Sequence, residues 1–187
     1  MTNKQRSSFA GAVEKAKDDP LAAFISIVDP SNASTSQNSG ALAGIPYAVK
    51  DNIDTVALPT TSNTPALVGS RRKTDHEVVA RLQAAGAVLV GKTSLHELAF
   101  GITNGAAAYP AARNPFDTTR SSGGSSGGSG AAVGSGIVPF AIGTDTGGSV
   151  SIPAAWCGVY GYRPSLDRWP TGGAAPLSKT RDAVGVI

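Results

Sequence analysis

Four short runs of apolar residues punctuate the chain, and their length limits what it can become. They are residues 22–28 (AAFISIV), the Tyr47-Ala48-Val49 stretch inside GIPYAVKDNID, residues 87–90 (AVLV) and residues 137–143 (IVPFAIG). Each is β-branched or aromatic-rich and too short for a stable helix, so each predicts a buried strand. Helical patterns precede and separate them. Phe9, Val13 and Ala16 share one face over residues 8–18. Residues 75–85 (DHEVVARLQAA) turn Val78, Val79 and Leu82 inward, with Asp75 as N-cap and Gly86 as the stop. Ser94-Leu95-His96-Glu97 has the spacing of a capping box opening a further helix, and polar residues 31–40 predict a loop. Strands alternating with helices give an α/β fold, a largely parallel sheet covered by helices.

Composition narrows the function. With 41% hydrophobic residues among 187, the chain can bury a core. The net charge of +3 is mildly basic, but its one dense run, Arg71-Arg72-Lys73, reads as a solvated approach to a helix, not a nucleic-acid patch. A single cysteine, Cys157, excludes an internal disulfide framework and suits a reducing compartment; in its apolar run it is a packed thiol. The N-terminal residues lack a signal-peptide core and no run reaches the ~18 residues of a membrane helix, which predicts a soluble, cytoplasmic protein.

Residues 121–136 read SSGGSSGGSGAAVGSG, the composition of a flexible linker, and only the flanks can decide whether they link or work. Two local matches fail on physical grounds. Residues 86–93 (GAVLVGKT) fit the P-loop pattern, but the four middle residues are the predicted strand. A phosphate cradle would need them as a loop, so nucleotide binding is disfavoured and Lys92 takes a structural role. Residues 124–128 (GSSGG) fit the nucleophile elbow, which needs a histidine downstream. His76 and His96 both lie upstream and read as a helix-surface residue and a first-turn residue, so a Ser-His-Asp triad is unavailable.

A third constellation survives: Lys50 at a strand end, Ser125 and Ser126 in the Gly/Ser segment, and Ser149 in GTDTGGSVSIPAAWCG. In these settings, and with GKTSLHELAFGIT, RNPFD, GYRPS and KTRDAVG in order, the sequence resembles the amidase signature family from about residue 44 onward. On that resemblance residues 121–136 are the family's signature loop within one partial domain spanning 1–187, and not a linker. The tail and the GKTSLHELAFGIT segment look most like the subgroup cleaving aryl-acetamide-type compounds, such as indoleacetamide and mandelamide hydrolases.

The resemblance implies an amidase that hydrolyses a linear carboxylic amide to acid and ammonia, with a small-molecule substrate, no metal and no cofactor, and with neither nucleic acid nor membrane as partner. Ser149 is the implied nucleophile of an acyl-enzyme. Ser125, following a cis peptide bond, bridges it to the base Lys50. The backbone N–H groups of Thr146, Gly147, Gly148 and Ser149 form the implied oxyanion hole, and Ser126 donates a supporting hydrogen bond within the loop. A free lysine titrates near ~10.4; burial beside Tyr47 and Val49 would bring Lys50 toward the ~7–8 that suits general-base work. Two departures stand out. Many members carry arginine two residues after the nucleophile, where this chain has Ser151. Family enzymes are also more than twice this length, which implies an incomplete mixed sheet, low turnover by the isolated chain, and a homo-oligomer or a C-terminal half beyond Ile187 as partner. The alternative reading is a non-catalytic fragment, an amidotransferase-like subunit or a scaffold that retains the signature core.

Overall fold

The run Tyr47-Ala48-Val49 becomes the middle of the sheet. In the computed structural model, which describes residues 3–32, 40–105 and 107–187, β2 (Pro46–Lys50) is buried along its whole length. It pairs in parallel with β3 (Val88–Thr93) on one side and β4 (Ala141–Asp145) on the other. The outer strands β1 (Phe24–Ile27) and β5 (Ala183–Val186) run antiparallel to β3 and β4, giving the order β1-β3-β2-β4-β5. The sheet is mixed, with a parallel centre. Its three inner strands are buried throughout, which is why each carries an unbroken apolar stretch instead of an alternating one, with its polar residues gathered at the carboxyl end.

Among the described residues four helices pack around it: α1 (Asn3–Lys17), α2 (Glu77–Ala84), α3 (Gly127–Gly134) and α4 (Ser151–Trp156). On α1, Phe9, Val13 and Ala16 are buried in the main core, as their spacing requires. On α2, Val79 is fully buried while Val78 and Leu82 pack against the core at its edge. Gly86, at φ 91°, ends that segment in the left-handed region that favours glycine. Tyr47 stacks on Phe140 with ring centroids 5.6 Å apart, fastening β2 to the entry of β4.

The second half of the Gly/Ser segment is mostly helix, Gly127–Gly134. GGSGAAVG has poor intrinsic helix propensity, so α3 exists because of what surrounds it. A Cβ on Gly128 would lie 2.4 Å from the Ser94 nitrogen and 2.5 Å from the Ala23 carbonyl oxygen, distances no side chain tolerates. The glycines let the helix approach neighbouring backbone, and residues Gly127 to Ala132 are buried.

Several sequence expectations are corrected. The N-cap of α2 is His76, whose Nδ1 accepts from Val78 N–H at 3.1 Å; Asp75 Oδ1 accepts instead from Val56 N–H at 2.8 Å. His76 is therefore buried and not a surface residue. The predicted helix after Ser94 shrinks to a single 3-10 turn, Glu97–Ala99, because Leu98 sits at φ 53° and ends the helical path. His96 precedes that turn at the N-cap position, but its side chain makes no capping bond there. Ser94 Oγ makes no capping bond; it donates to the Pro110 carbonyl at 3.2 Å. The last strand of the parallel centre begins at Ala141, after Pro139, which has no N–H for a ladder. Of the loop expected at 31–40, residues 33–39 lie outside the described residues.

Candidate active site

Three segments meet at the carboxyl ends of the parallel strands, the edge of an α/β sheet where ligands are bound. Lys50 is the last residue of β2, and Thr144 and Asp145 are the last two of β4. The loop leading into α3 brings Ser125 and Ser126 over them. Lys50 Nζ donates to Ser125 Oγ at 2.7 Å, to Thr144 Oγ1 at 2.7 Å and to the Thr144 carbonyl at 3.3 Å. Lys50 and Ser125 are both wholly buried. Burial pushes the lysine from its ordinary 10.5 down to about 7, against the pull of Asp145 and then Asp182 toward the charged form. The groups at the amine are Ser125 and Thr144, and not the Tyr47 and Val49 expected from sequence adjacency. Such an amine, hydrogen-bonded to a serine hydroxyl and half-deprotonated near neutrality, is equipped to exchange a proton with it.

The loop is held from above and below. The Gly124–Ser125 peptide is cis. The Ser125 carbonyl accepts the His96 N–H at 3.0 Å, and a Cβ on Gly124 would lie 2.8 Å from the Asn104 nitrogen. Ser126 N–H donates to the Ser149 carbonyl at 3.1 Å. Ser126 Oγ donates to the Thr144 carbonyl at 3.2 Å, so its bond goes to β4 and not to its own loop.

Ser149 lies in the turn between β4 and α4 and, at 8% exposure, is the only one of the three candidate catalytic residues open to solvent at all. Backbone bonding brings it against Ser126. Its hydroxyl makes no hydrogen bond to another described residue, so Lys50 and Ser125 are in contact while the Ser125–Ser149 link is not formed in this state. Asp145 shapes the turn: Oδ1 accepts Gly148 N–H and Oδ2 accepts Val150 N–H, both at 2.8 Å. Gly148 N–H is thereby committed to Asp145, which removes it from the expected oxyanion donors. Thr146, Gly147 and Ser149 remain. A cavity of about 240 Å³ adjoins the site, lined among others by Asn52, Thr144, Thr146, Leu177 and Lys179.

The remaining sequence-flagged groups lie elsewhere. Lys92 forms a fully buried ion pair with Asp51 at 3.1 Å and donates to Thr60 Oγ1 at 3.0 Å, tying β3 to the chain after β2. Residues 88–93 are strand, so the P-loop pattern has no loop to offer. His96 is half-buried, its Nδ1 accepting from Gly105 N–H at 3.1 Å, and burial holds its pKa below the usual histidine range. Arg72 pairs with Asp54 at 3.0 Å, and Cys157 is buried with its thiol pushed up to about 12. Sequence reasoning missed Thr144, Asp145 and Asn52, whose Nδ2 donates to Thr144 Oγ1 at 3.1 Å. All three stand within the GTDTGGS and VKDN stretches already singled out, so the signal was proximity to flagged residues.

A mixed sheet with a parallel centre, whose central strand ends in a buried lysine bonded to a loop serine, defines an α/β protein with a candidate serine–lysine site. The chain belongs to the amidase family, whose model (Amidase) matches residues 16–187. It is 48% identical over 146 residues to an indoleacetamide hydrolase of Pseudomonas savastanoi, covering 78% of this chain and 32% of that protein. It is likewise 48% identical over 151 residues to the mandelamide hydrolase of Pseudomonas putida, covering 78% of this chain and 30% of the other. Among solved structures, a glutamyl-tRNA(Gln) amidotransferase subunit from Thermotoga maritima superposes with a TM-score of 0.90 at 36% identity, covering all of this chain and 41% of that one. The chain thus spans about a third of the length of these curated relatives. Among the described residues no helix is long and apolar enough to cross a membrane.

Proposed function

We propose that this chain carries the catalytic core of an amidase that hydrolyses a linear carboxylic amide to the acid and ammonia through an acyl-enzyme on Ser149. The observation behind this reading is the 2.7 Å bond between Lys50 Nζ and Ser125 Oγ in a site where the lysine titrates at about 7. In the proposed sequence, neutral Lys50 takes a proton from Ser125 as Ser125 takes one from Ser149, whose oxygen attacks the amide carbon. The tetrahedral oxyanion is received by N–H groups of Thr146, Gly147 and Ser149. The same proton returns through Ser125 to the departing nitrogen, and ammonia leaves. Water then attacks the ester by the reverse route. Ser126 holds the loop on β4, and residues 121–136 are on this reading the signature loop of a single domain. The names of the hydrolase relatives favour an aryl-substituted acetamide as substrate.

A fluorophosphonate probe tests the assignment. It should label Ser149, and Ser149→Ala should abolish labelling while Ser126→Ala does not. Lys50→Ala should remove most turnover with the fold retained. Labelling undiminished in Ser149→Ala would overturn the nucleophile assignment, and a wild-type chain that folds but never labels would favour the scaffold reading. The likeness to an amidotransferase component supports a second reading, in which the same acyl-enzyme passes its ammonia to a partner protein. Release of free ammonia from a simple aryl-acetamide without any partner separates the two.

A further inference from the structure

We propose that Arg163 is a positioning residue for the candidate nucleophile: through the Asp145 carboxylate it fixes the turn that carries Ser149. This rests on the role given to Ser149 above and goes beyond it. Asp145 is 1% exposed, and its two oxygens reach the N–H groups immediately before and after Ser149, so the carboxylate straddles that residue. A buried carboxylate bonded only to neutral amides is costly unless a cation accompanies it. Arg163 Nε supplies that cation at 3.2 Å from Oδ1. The residue at position 151, two after Ser149, does not: Ser151 is exposed, with its hydroxyl 3.5 Å from the Gly148 carbonyl.

The fold delivers Arg163 to this position. Tyr162 exchanges two backbone hydrogen bonds with Val186, at 2.8 and 3.0 Å, which adds residue 162 to the outer side of β5. Asp145 is paired with Ala183 at the start of β5, so the arginine reaches across one strand to the carboxylate. Its Nη2 donates to the Arg181 carbonyl at 2.8 Å, leaving the guanidinium anchored at both ends. Asp182 completes the arrangement: Oδ1 accepts the Thr146 hydroxyl at 2.5 Å and Oδ2 accepts the Leu177 and Ser178 N–H groups at 2.8 and 2.9 Å. Two carboxylates thus hold the turn, and one arginine balances the one that touches the neighbours of Ser149.

The carboxylates whose fields couple to Lys50 are Asp145 at the end of β4 and Asp182 before β5; the imidazole of His96, after β3, couples to it only when protonated, which burial disfavours. Removing Arg163 leaves the Asp145 field less compensated, so Lys50 should hold its proton more tightly. Two effects follow: the turn loosens, and the pH at which Lys50 becomes a base rises.

The test compares wild type with Arg163→Met, Arg163→Gln and Arg163→Lys in two readouts. The first, independent of activity, is amide hydrogen exchange at Gly148 and Val150, with Val49 and Leu89 as internal controls. The second is the pH dependence of fluorophosphonate labelling. In the Met and Gln variants exchange at Gly148 and Val150 should quicken roughly tenfold or more with the controls unchanged, labelling near neutrality should slow roughly tenfold or more, and its midpoint should move to higher pH. Arg163→Lys should recover a large part of both. Unchanged exchange at Gly148 and Val150 overturns the proposal, as does loss of folding in both neutral variants, which would assign Arg163 to stability alone. A wild-type chain that does not label at Ser149 counts against the amidase reading, while the exchange result still decides the role of Arg163.

Discussion

Burying Lys50 destabilises its charged form, and the structure sets the size of that effect. Its pKa falls from 10.5 unfolded to about 7 folded. Between those values the unfolded chain binds a proton that the folded chain does not, so stability rises with pH across the window. Below about 7 both states hold the proton and above 10.5 neither does, so the contribution is flat on either side. At ~1.36 kcal/mol per pH unit, the full span is roughly 5 kcal/mol. Lys50→Met removes the titration altogether. It also leaves Ser125 Oγ without the lysine donor, a cost of about 1–3 kcal/mol that does not vary with pH, while Thr144 Oγ1 keeps the Asn52 amide. The assay is urea denaturation of both proteins at a series of pH values spanning the window, read as the difference in unfolding free energy. The difference cancels other titrating groups shared by the two chains, including Tyr47, which burial pushes well above its ordinary range. Wild type should gain several kcal/mol on Lys50→Met as pH rises through the window. A difference that stays flat would refute the claim that Lys50 is neutral at working pH, and with it the proposed base.

The Asp51–Lys92 pair is fully buried, so Lys92→Met alone should cost about 3–5 kcal/mol in denaturation experiments by stranding the carboxylate, and the double variant with Asp51→Asn should recover part of it. Gly128→Ala should raise local helix propensity yet destabilise the protein by several kcal/mol, because its Cβ has no room against Ser94 and Ala23; a neutral or raised melting temperature would contradict the packing described. Cys157 should resist a disulfide-exchange thiol reagent in the native state and react stoichiometrically in denaturant, since it is buried and its thiol is pushed up to about 12. If Lys50 is the base, the acid limb of amide hydrolysis should have its midpoint near the value of about 7 that burial imposes.

Local pattern carried most of the scaffold. The apolar runs located four of the five strands, three of them because strands buried on both faces tolerate little else and the half-buried β1 because its short run is β-branched and aromatic, and Val78, Val79 and Leu82 oriented α2 because helical spacing leaves no other face to bury. The same pattern misjudged the chain after Ser94. The capping-box spacing implies local partners, whereas Ser94 bonds to Pro110 and Leu98 adopts a left-handed conformation. It could not resolve the Gly/Ser segment either, since GGSGAAVG is a poor helix until close backbone contact at Gly128 makes the absence of side chains an advantage.

At the site the division is sharper. Which residues can do chemistry is legible along the chain alone: a lysine closing an apolar strand, serines in a glycine-rich segment, and a serine following GTDTGG. Tertiary structure alone decided the state of those groups and their partners. Lys50 and Ser125 stand 75 positions apart, and only the crossing of β2 beneath the loop before α3 brings them to 2.7 Å. The lowered pKa of Lys50 comes from removing water on every side, a property of the surrounding shell that no neighbouring residue in the chain encodes. Arg163 and Asp145 meet for the same reason, across β5. Chemical identity is written residue by residue, whereas desolvation and long-range pairing exist only once the sheet has closed around them.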